Sequence, residues 1–308
     1  MNAVVYKSTG SWYIVKGADG NFYNARIKGI FKIDNIRSTN PLAVGDVIDI
    51  SPEGTEGAEA VIEGIHERKN YISRQSPRNR NQHHIIASNL DQSLLFATLK
   101  DPRTSTGFID RFLAASEAFH VPSIIVFNKS DLYRKKEEEQ YHKLKALYEK
   151  VGYPVTGMSL QSMEGTLEVR RLLQGKTTLL SGHSGVGKST FINQVIPRTA
   201  LKTQDVSGWS GKGLHTTTFA EMFDLPDGGA VIDTPGLREF ALTDIRNTEL
   251  SHYFPEMRIL LNECRFNNCI HVDEPGCAVK QAVEKGDIAP DRYVSYLNIL
   301  GSLDEKKW

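Results

Sequence analysis

Cysteine is scarce in this sequence, and the little there is sits in one place. Three cysteines in 308 residues are poorly suited to a disulfide framework. No apolar run approaches the length of a membrane span, and no N-terminal stretch resembles a secretory signal, so the cytoplasm is the expected compartment. Charge of one sign is not in excess either. Lys plus Arg and Asp plus Glu both number 37, which excludes a global basic field and leaves any contact with nucleic acid to local patches. No internal repeat is evident. The hydrophobic content of 40% still supports real cores, and the length allows two or three domains.

What the chain does have is phosphate chemistry. GHSGVGKST, residues 182 to 190, satisfies G-x-x-x-x-G-K-[ST]: Gly182, His183, Ser184, Gly185, Val186, Gly187, Lys188, Ser189 and Thr190 form a loop whose backbone N–H groups curl round phosphate oxygens. Lys188 reaches the β and γ phosphates and Ser189 ligates Mg²⁺. TTLL before it reads as a buried strand, and Phe191, Ile192 and Val195 after it have helical spacing, so the phosphates meet a helix N-terminus. GGAVIDTPG, residues 228 to 236, reads as a strand ending in Asp233, a second Mg²⁺ residue, followed by Gly236, whose N–H faces a γ phosphate. Between them, GKGLHTTTF (211 to 219) has switch character: a hydroxyl of Thr216, Thr217 or Thr218, with Thr217 taken as the ligand, completes the Mg²⁺ shell when a γ phosphate is bound.

The base is read by NKSD. Asn128, Lys129, Ser130 and Asp131 follow the buried-strand run PSIIVF. Asn128 hydrogen-bonds the guanine edge, the Lys129 stem lies along the ring, and Asp131 accepts from two N–H groups that adenine lacks, which selects GTP over ATP. TGMSLQSMEG is the companion loop, with Ser159 its base-site residue. Ordinary GTPases run phosphate loop, switches, then base reader; here the base reader comes first. The order is that of a circular permutation, which domains tolerate because their termini lie close together at the surface. It also leaves the second switch leading straight into the C-terminal region.

That region holds all three cysteines. CRFNNCIHVDEPGC supplies Cys264, Cys269, His271 and Cys277, a Cys₃His set suited to one structural, tetrahedral Zn²⁺ with no open position for catalysis. QAVEKGDIAPDRYVSYLNILGSL reads as helical pieces around Pro290. The first third differs: MNAVVYKSTGSWYIVKGADGNFYNARIKGIF alternates apolar and polar residues between Gly and Asp turns, which suits a small β-barrel of the OB type. Trp12, Tyr13, Phe22 and Tyr23, beside Lys16, Arg26 and Lys28, are candidates for a surface that stacks single-stranded nucleic acid. ERKNYISRQSPRNRNQHH, with Arg68, Lys69, Arg74, Arg78 and Arg80 against Glu67, reads as a flexible basic linker for phosphates. KKEEEQYHKLKALYEK reads as an exposed amphipathic helix. The expected division is a barrel over 1–68, a permuted α/β GTPase domain over 69–240 and a zinc-binding α domain over 241–308.

Together, the barrel-like start, the order NKSD, GHSGVGKST, GLHTTT, DTPG, and the Cys, Cys, His, Cys cluster resemble the RsgA (YjeQ/YloQ) family over essentially the whole chain. The resemblance implies a permuted GTPase that binds the 30S ribosomal subunit and its 16S rRNA as a monomer, acts late in subunit maturation, and hydrolyses GTP to GDP slowly until the subunit stimulates it. Leu237 stands where many GTPases place a water-orienting glutamine, and leucine cannot orient water. The resemblance implies instead that His215 positions the water, with electrostatic support from Lys188 and Mg²⁺. Two other classes stay open on sequence alone: a P-loop kinase or ATPase, and an RNA-binding adaptor with GTP as a structural ligand.

Overall fold

The structure is a computed structural model, and it describes residues 1–27, 41–53, 59–75, 83–196, 220–234, 242 and 245–304. His215, Thr217 and Gly236, along with Leu237, Lys28, Arg78 and Arg80, lie outside the described residues.

Alternating burial builds the first unit. In β2 (Tyr13–Gly17) every second residue faces inward, the period-2 signature of a strand with one wet face. It is flanked by β1 (Asn2–Ser8) and β3 (Phe22–Ile27), and β4 (Val47–Glu53) and β5 (Glu59–Ile65) complete the set. The order is β1-β2-β3-β5-β4, and β4 pairs back onto β1 through Ala3 and Ile48. This closes the barrel and removes its sheet edges. Its core, Val5, Tyr13, Val15, Tyr23, Ile48, Ile50 and Ile62 among others, is separate from the rest of the molecule.

The barrel corrects the reading of its aromatics. Tyr13 is 2% and Tyr23 6% exposed, because strand alternation turns one residue of each adjacent pair inward, and only Trp12, at 42%, stands clear of the barrel. Phe22 is half-buried and packs edge-on against Tyr6. The basic linker is also more structured than expected. Tyr71–Gln75 (β6) and His83–Ser88 (β7) pair as an antiparallel ribbon. Arg68 donates from Nε and Nη2 to the buried carboxylate of Asp46 at 2.6 and 2.7 Å, and Lys69 pairs with Asp91. Arg68 is thereby committed inside the protein, whereas the Lys69 pair lies at the surface.

The second unit is a doubly wound sheet. β8 (Gln92–Ala97), β9 (Ser123–Phe127), β10 (Val155–Gly157), β11 (Thr177–Ser181), β12 (Glu221–Asp224) and β13 (Ala230–Asp233) lie in the order β10-β9-β8-β11-β13-β12, all parallel except β12. β8 and β9 are buried at every residue, as parallel strands covered on both faces must be. α3 (Thr166–Leu173) and α4 (Lys188–Val195) cover one face with Val169, Phe191 and Ile192. α1 (Thr106–Ala118) and α2 (Lys135–Val151) belong to the larger core cluster of the opposite face. Ser105 caps α1 by accepting from Phe108 N, and Gly152, at φ +110°, ends α2. Only Leu144 and Tyr148 of α2 are fully buried, as its charged pattern requires.

Two seams join the parts. β1 pairs with β12 at Lys7 and Glu221, so barrel and sheet are continuous. Tyr6 Oη and Lys16 Nζ both donate to Asp224 at 2.6 Å, and Lys7 Nζ reaches Glu221 at 3.0 Å. At the other end, α5 (Pro255–Arg258), α6 (Ala278–Lys285) and α7 (Pro290–Asp304) place Met257, Val279 and Tyr296 in the same core cluster as Phe112 and Leu113 of α1. Pro290 begins α7, where its missing N–H is harmless. Among the described residues no helix is long and apolar enough to cross a membrane.

Candidate functional site

The nucleotide motifs stand at the carboxyl ends of parallel strands, where open α/β sheets place ligands. β11 ends in the phosphate loop, β13 in Asp233 and β9 in Asn128. Two glycines make the loop possible. A Cβ on Gly182 (φ +139°) would lie 2.3 Å from Phe96 O, and one on Gly187 (φ +104°) 2.3 Å from Asn128 Nδ2, so both positions need glycine for backbone conformation and for space. α4 starts at Lys188, directing its free N–H groups at the loop.

A hydrogen bond joins base reader to phosphate loop: Asn128 Nδ2 donates to Val186 O at 2.7 Å. Asn128 Oδ1 and Ser130 Oγ are buried without a protein partner among the described residues, polar atoms of the kind a ligand satisfies. Lys129, held at φ +67°, donates from Nζ to Asp101 O. Ser159 is fully buried and donates to Asp131 Oδ1 at 2.5 Å while accepting from Gln161 N and Ser162 N, each at 3.1 Å. These bonds fix the orientation of the Asp131 carboxylate. Ser184, Gly185, Ser189 and Thr190 are exposed.

Of the charged pair, the lysine is held by backbone and the carboxylate keeps one oxygen unpartnered among the described residues. Lys188 Nζ donates to the loop's own carbonyls, Gly182 O at 2.6 Å and His183 O at 2.9 Å. Burial lowers its pKa, with Asp233 opposing the shift. Burial likewise raises the pKa of Asp233, with Lys188 opposing, and Asp233 Oδ1 has no partner among the described residues. A half-buried lysine, a half-buried carboxylate with an unused oxygen and the Ser189 hydroxyl fit triphosphate and Mg²⁺ together.

The sequence reading missed the connection from β8 to α1. Its Pro102 packs at Gly185, Thr104 Oγ1 accepts from Thr98 N, and Phe108 stacks on His183 with ring centroids 3.7 Å apart. LKDPRTSTGF matches no phosphate or base pattern, so only its placement reveals it.

The second centre is the cysteine cluster. One donor atom from each of Cys264, Cys269, His271 and Cys277 lies within 4.8 Å of the others. His271 Nδ1 is 3.3 Å from Cys277 Sγ and 3.6 Å from Cys264 Sγ, against about 3.6 Å for neighbouring nitrogen and sulfur ligands on tetrahedral zinc. The donor set therefore fits Zn²⁺. Burial pushes the Cys269 thiol up to about 12, a thiol that metal binding would deprotonate. The loop is braced: Glu274 accepts from Ile270 N and Val272 N, and Tyr293 and Tyr296 donate to His271 O and Ile270 O. These braces were also unmarked in sequence.

Comparison with known proteins follows the same division. Residues 65–243 match the family model of the RsgA GTPase, and residues 3–62 that of the RsgA N-terminal domain. The chain belongs to the RsgA GTPase family. It is accordingly a GTP hydrolase built as a circularly permuted GTPase with an OB-type barrel. Relatives in the RsgA family named small ribosomal subunit biogenesis GTPase include one from Cytophaga hutchinsonii, 52% identical over 99% of both chains, and one from Bacteroides thetaiotaomicron, 49% identical over 100% of this chain and 99% of its own. The crystal structure of YjeQ from Thermotoga maritima matches at a TM-score of 0.78 with 33% identity over 98% of both chains. That of YloQ, described as a circularly permuted GTPase, matches at 0.76 with 30% identity over 100% of this chain and 96% of its own.

Proposed function

We propose that this GTPase acts in the biogenesis of the small ribosomal subunit by binding the 30S particle and its 16S rRNA, where subunit contact accelerates hydrolysis of GTP to GDP and phosphate. The Asn128–Val186 hydrogen bond carries the nucleotide part of this reading: it unites base recognition and phosphate binding across an inverted chain order. The names of the relatives carry the ribosomal part.

In the proposed site Asp131, aimed by Ser159, selects guanine, with Asn128, Lys129 and Ser130 around the base. The backbone of residues 182–190 cradles the phosphates. Ser189, Asp233 and Thr217 hold Mg²⁺, which when bound neutralises phosphate charge. On phosphate entry Lys188 exchanges the carbonyls of Gly182 and His183 for phosphoryl oxygens, where it stabilises charge developing in transfer. Gly236 N–H faces the γ phosphate and His215 positions the attacking water. Cys264, Cys269, His271 and Cys277 hold one structural Zn²⁺. Barrel, GTPase and zinc units over 1–68, 69–240 and 241–308, a monomeric state and a cytoplasmic site complete the proposal.

The test is phosphate release with and without 30S subunits, using ATP as control. A large rise with GTP alone supports the reading. No rise with GTP still bound leaves a GTPase with a different activator. Turnover of ATP at a similar rate would overturn the assignment of Asp131. His215→Ala is expected to keep GTP affinity and lose the stimulated rate, and unchanged stimulated turnover removes His215 from the mechanism.

A further inference from the structure

α1 touches both ends of the molecule's chemistry. In its first turn Phe108 stacks on His183, with ring centroids 3.7 Å apart and planes 32° from parallel. The backbone carbonyl of His183 is one of the two that hold Lys188 Nζ. Two residues further along, Asp110 Oδ1 accepts from Arg292 Nη1 of α7 at 2.7 Å and from Tyr148 Oη at 2.9 Å. Arg292, only 1% exposed, also donates from Nε and Nη2 to Glu256 of α5 at 2.7 and 3.1 Å, and its guanidinium lies 4.7 Å from the Phe254 ring centroid. Neighbouring positions repeat the attachment, Arg111 donating to Ser302 Oγ and Glu117 accepting from Arg258.

A guanidinium buried between two carboxylates is a poor source of stability relative to an apolar core, yet it fixes one geometry, because any displacement leaves charge unpaired in a low-dielectric interior. Here it fixes α1 against the cysteine-bearing region. Close packing passes that placement to Phe108. We infer that Phe108 is a positioning residue of the phosphate loop, and that the Asp110–Arg292–Glu256 cluster sets where it stands, so that the C-terminal region and nucleotide binding are coupled through α1.

This inference rests on residues 182–190 binding the phosphates, a reading tested separately by Lys188→Ala. If that variant binds fluorescent GDP as well as the native chain, the phosphate-loop reading itself fails. For α1, GDP affinity is measured for Phe108→Leu and Phe108→Tyr alongside melting temperature and zinc content. Phe108→Leu should weaken GDP about three- to tenfold, the range an aromatic pair commands. It should also raise KM for GTP while leaving kcat at saturation, melting temperature and zinc content near native, and Phe108→Tyr should restore affinity. Native affinity in Phe108→Leu, or a loss that follows the melting temperature, overturns the positioning role. Amide exchange tests the coupling with no change to the buried charges. Saturating GDP should slow exchange in 290–304 of the native protein and leave it unslowed in Phe108→Leu. No slowing in the native protein, or equal slowing in both, overturns the coupling.

Discussion

The nucleotide site and the cysteine cluster are built by opposite means. The first is assembled from backbone at the ends of three strands and from residues far apart in the chain, and it keeps buried polar atoms of Asn128, Ser130 and Asp233 without protein partners. The second draws four side chains from one short loop, turns their donor atoms toward each other within 4.8 Å, and braces the loop with Glu274, Tyr293 and Tyr296. His271 Nε2 is unpartnered too, but the ring turns Nδ1 to the cysteines, and a site that must release its ligand has to leave polar groups open to that ligand. One that holds its ligand permanently closes on it. The difference separates a site of turnover from a site of architecture.

That separation can be broken most forcefully at the cluster. Cys277→Ser, or stripping zinc with a chelator, should lower stability by about 3 kcal/mol or more, since such sites supply folding free energy directly. Calorimetry with metal analysis reads it, and an unchanged melting temperature would make the cluster dispensable to the fold. Zinc should also be held less tightly as pH falls, because protons compete for thiols whose metal-free pKa is already raised, that of Cys269 to about 12. Next in size is Lys188→Ala, expected to reduce GTP turnover about 100-fold or more, as loss of a preorganised donor to developing charge does. Phosphate release checks it, with zinc content unchanged if the two sites are independent.

Asp131→Asn should lose about 100-fold in GTP affinity relative to the native chain, because an amide replaces an acceptor that guanine pairs with two N–H groups. Competition between GTP and ATP measures it; retained preference for GTP would place base selection elsewhere. The smallest effect is expected at Ser159→Ala, about three- to tenfold in GTP affinity, for loss of one hydrogen bond that aims Asp131. Loss as severe as in Asp131→Asn would show that Ser159 does more than aim the carboxylate.

Legibility in the sequence followed distance along the chain. The phosphate loop could be read because its glycines, lysine and serine lie within nine residues (182–190), and the strand before it and the helix after it formed as their periodicities required. The cysteine cluster could be read for the same reason. Tyr13 and Tyr23 differ from the surface reading because the Lys16 and Arg26 that lie three residues beyond them say nothing about which side of a strand each tyrosine takes. Arg68 looked like a free cation because its partner, Asp46, is 22 residues away. Phe108 carried no signal at all, since an aromatic in a helix is usually core, and its stacking on His183 depends on where the β8–α1 connection crosses the phosphate loop.

The sequence by itself determined the chemistry of each site: which residues can cradle phosphate, read guanine and ligate a soft metal. It also determined the inverted order of those motifs, because all of this resides in short-range spacing and residue type. Only the tertiary structure decided that Asn128 grips the phosphate loop, that Ser159 aims Asp131, that the barrel and sheet are continuous through β1 and β12, and that a buried arginine ties α1 to the cysteine-bearing region. Those facts depend on which strand ends and helix faces meet, a matter settled by packing and by pairing of buried polar groups across distances that no local pattern encodes.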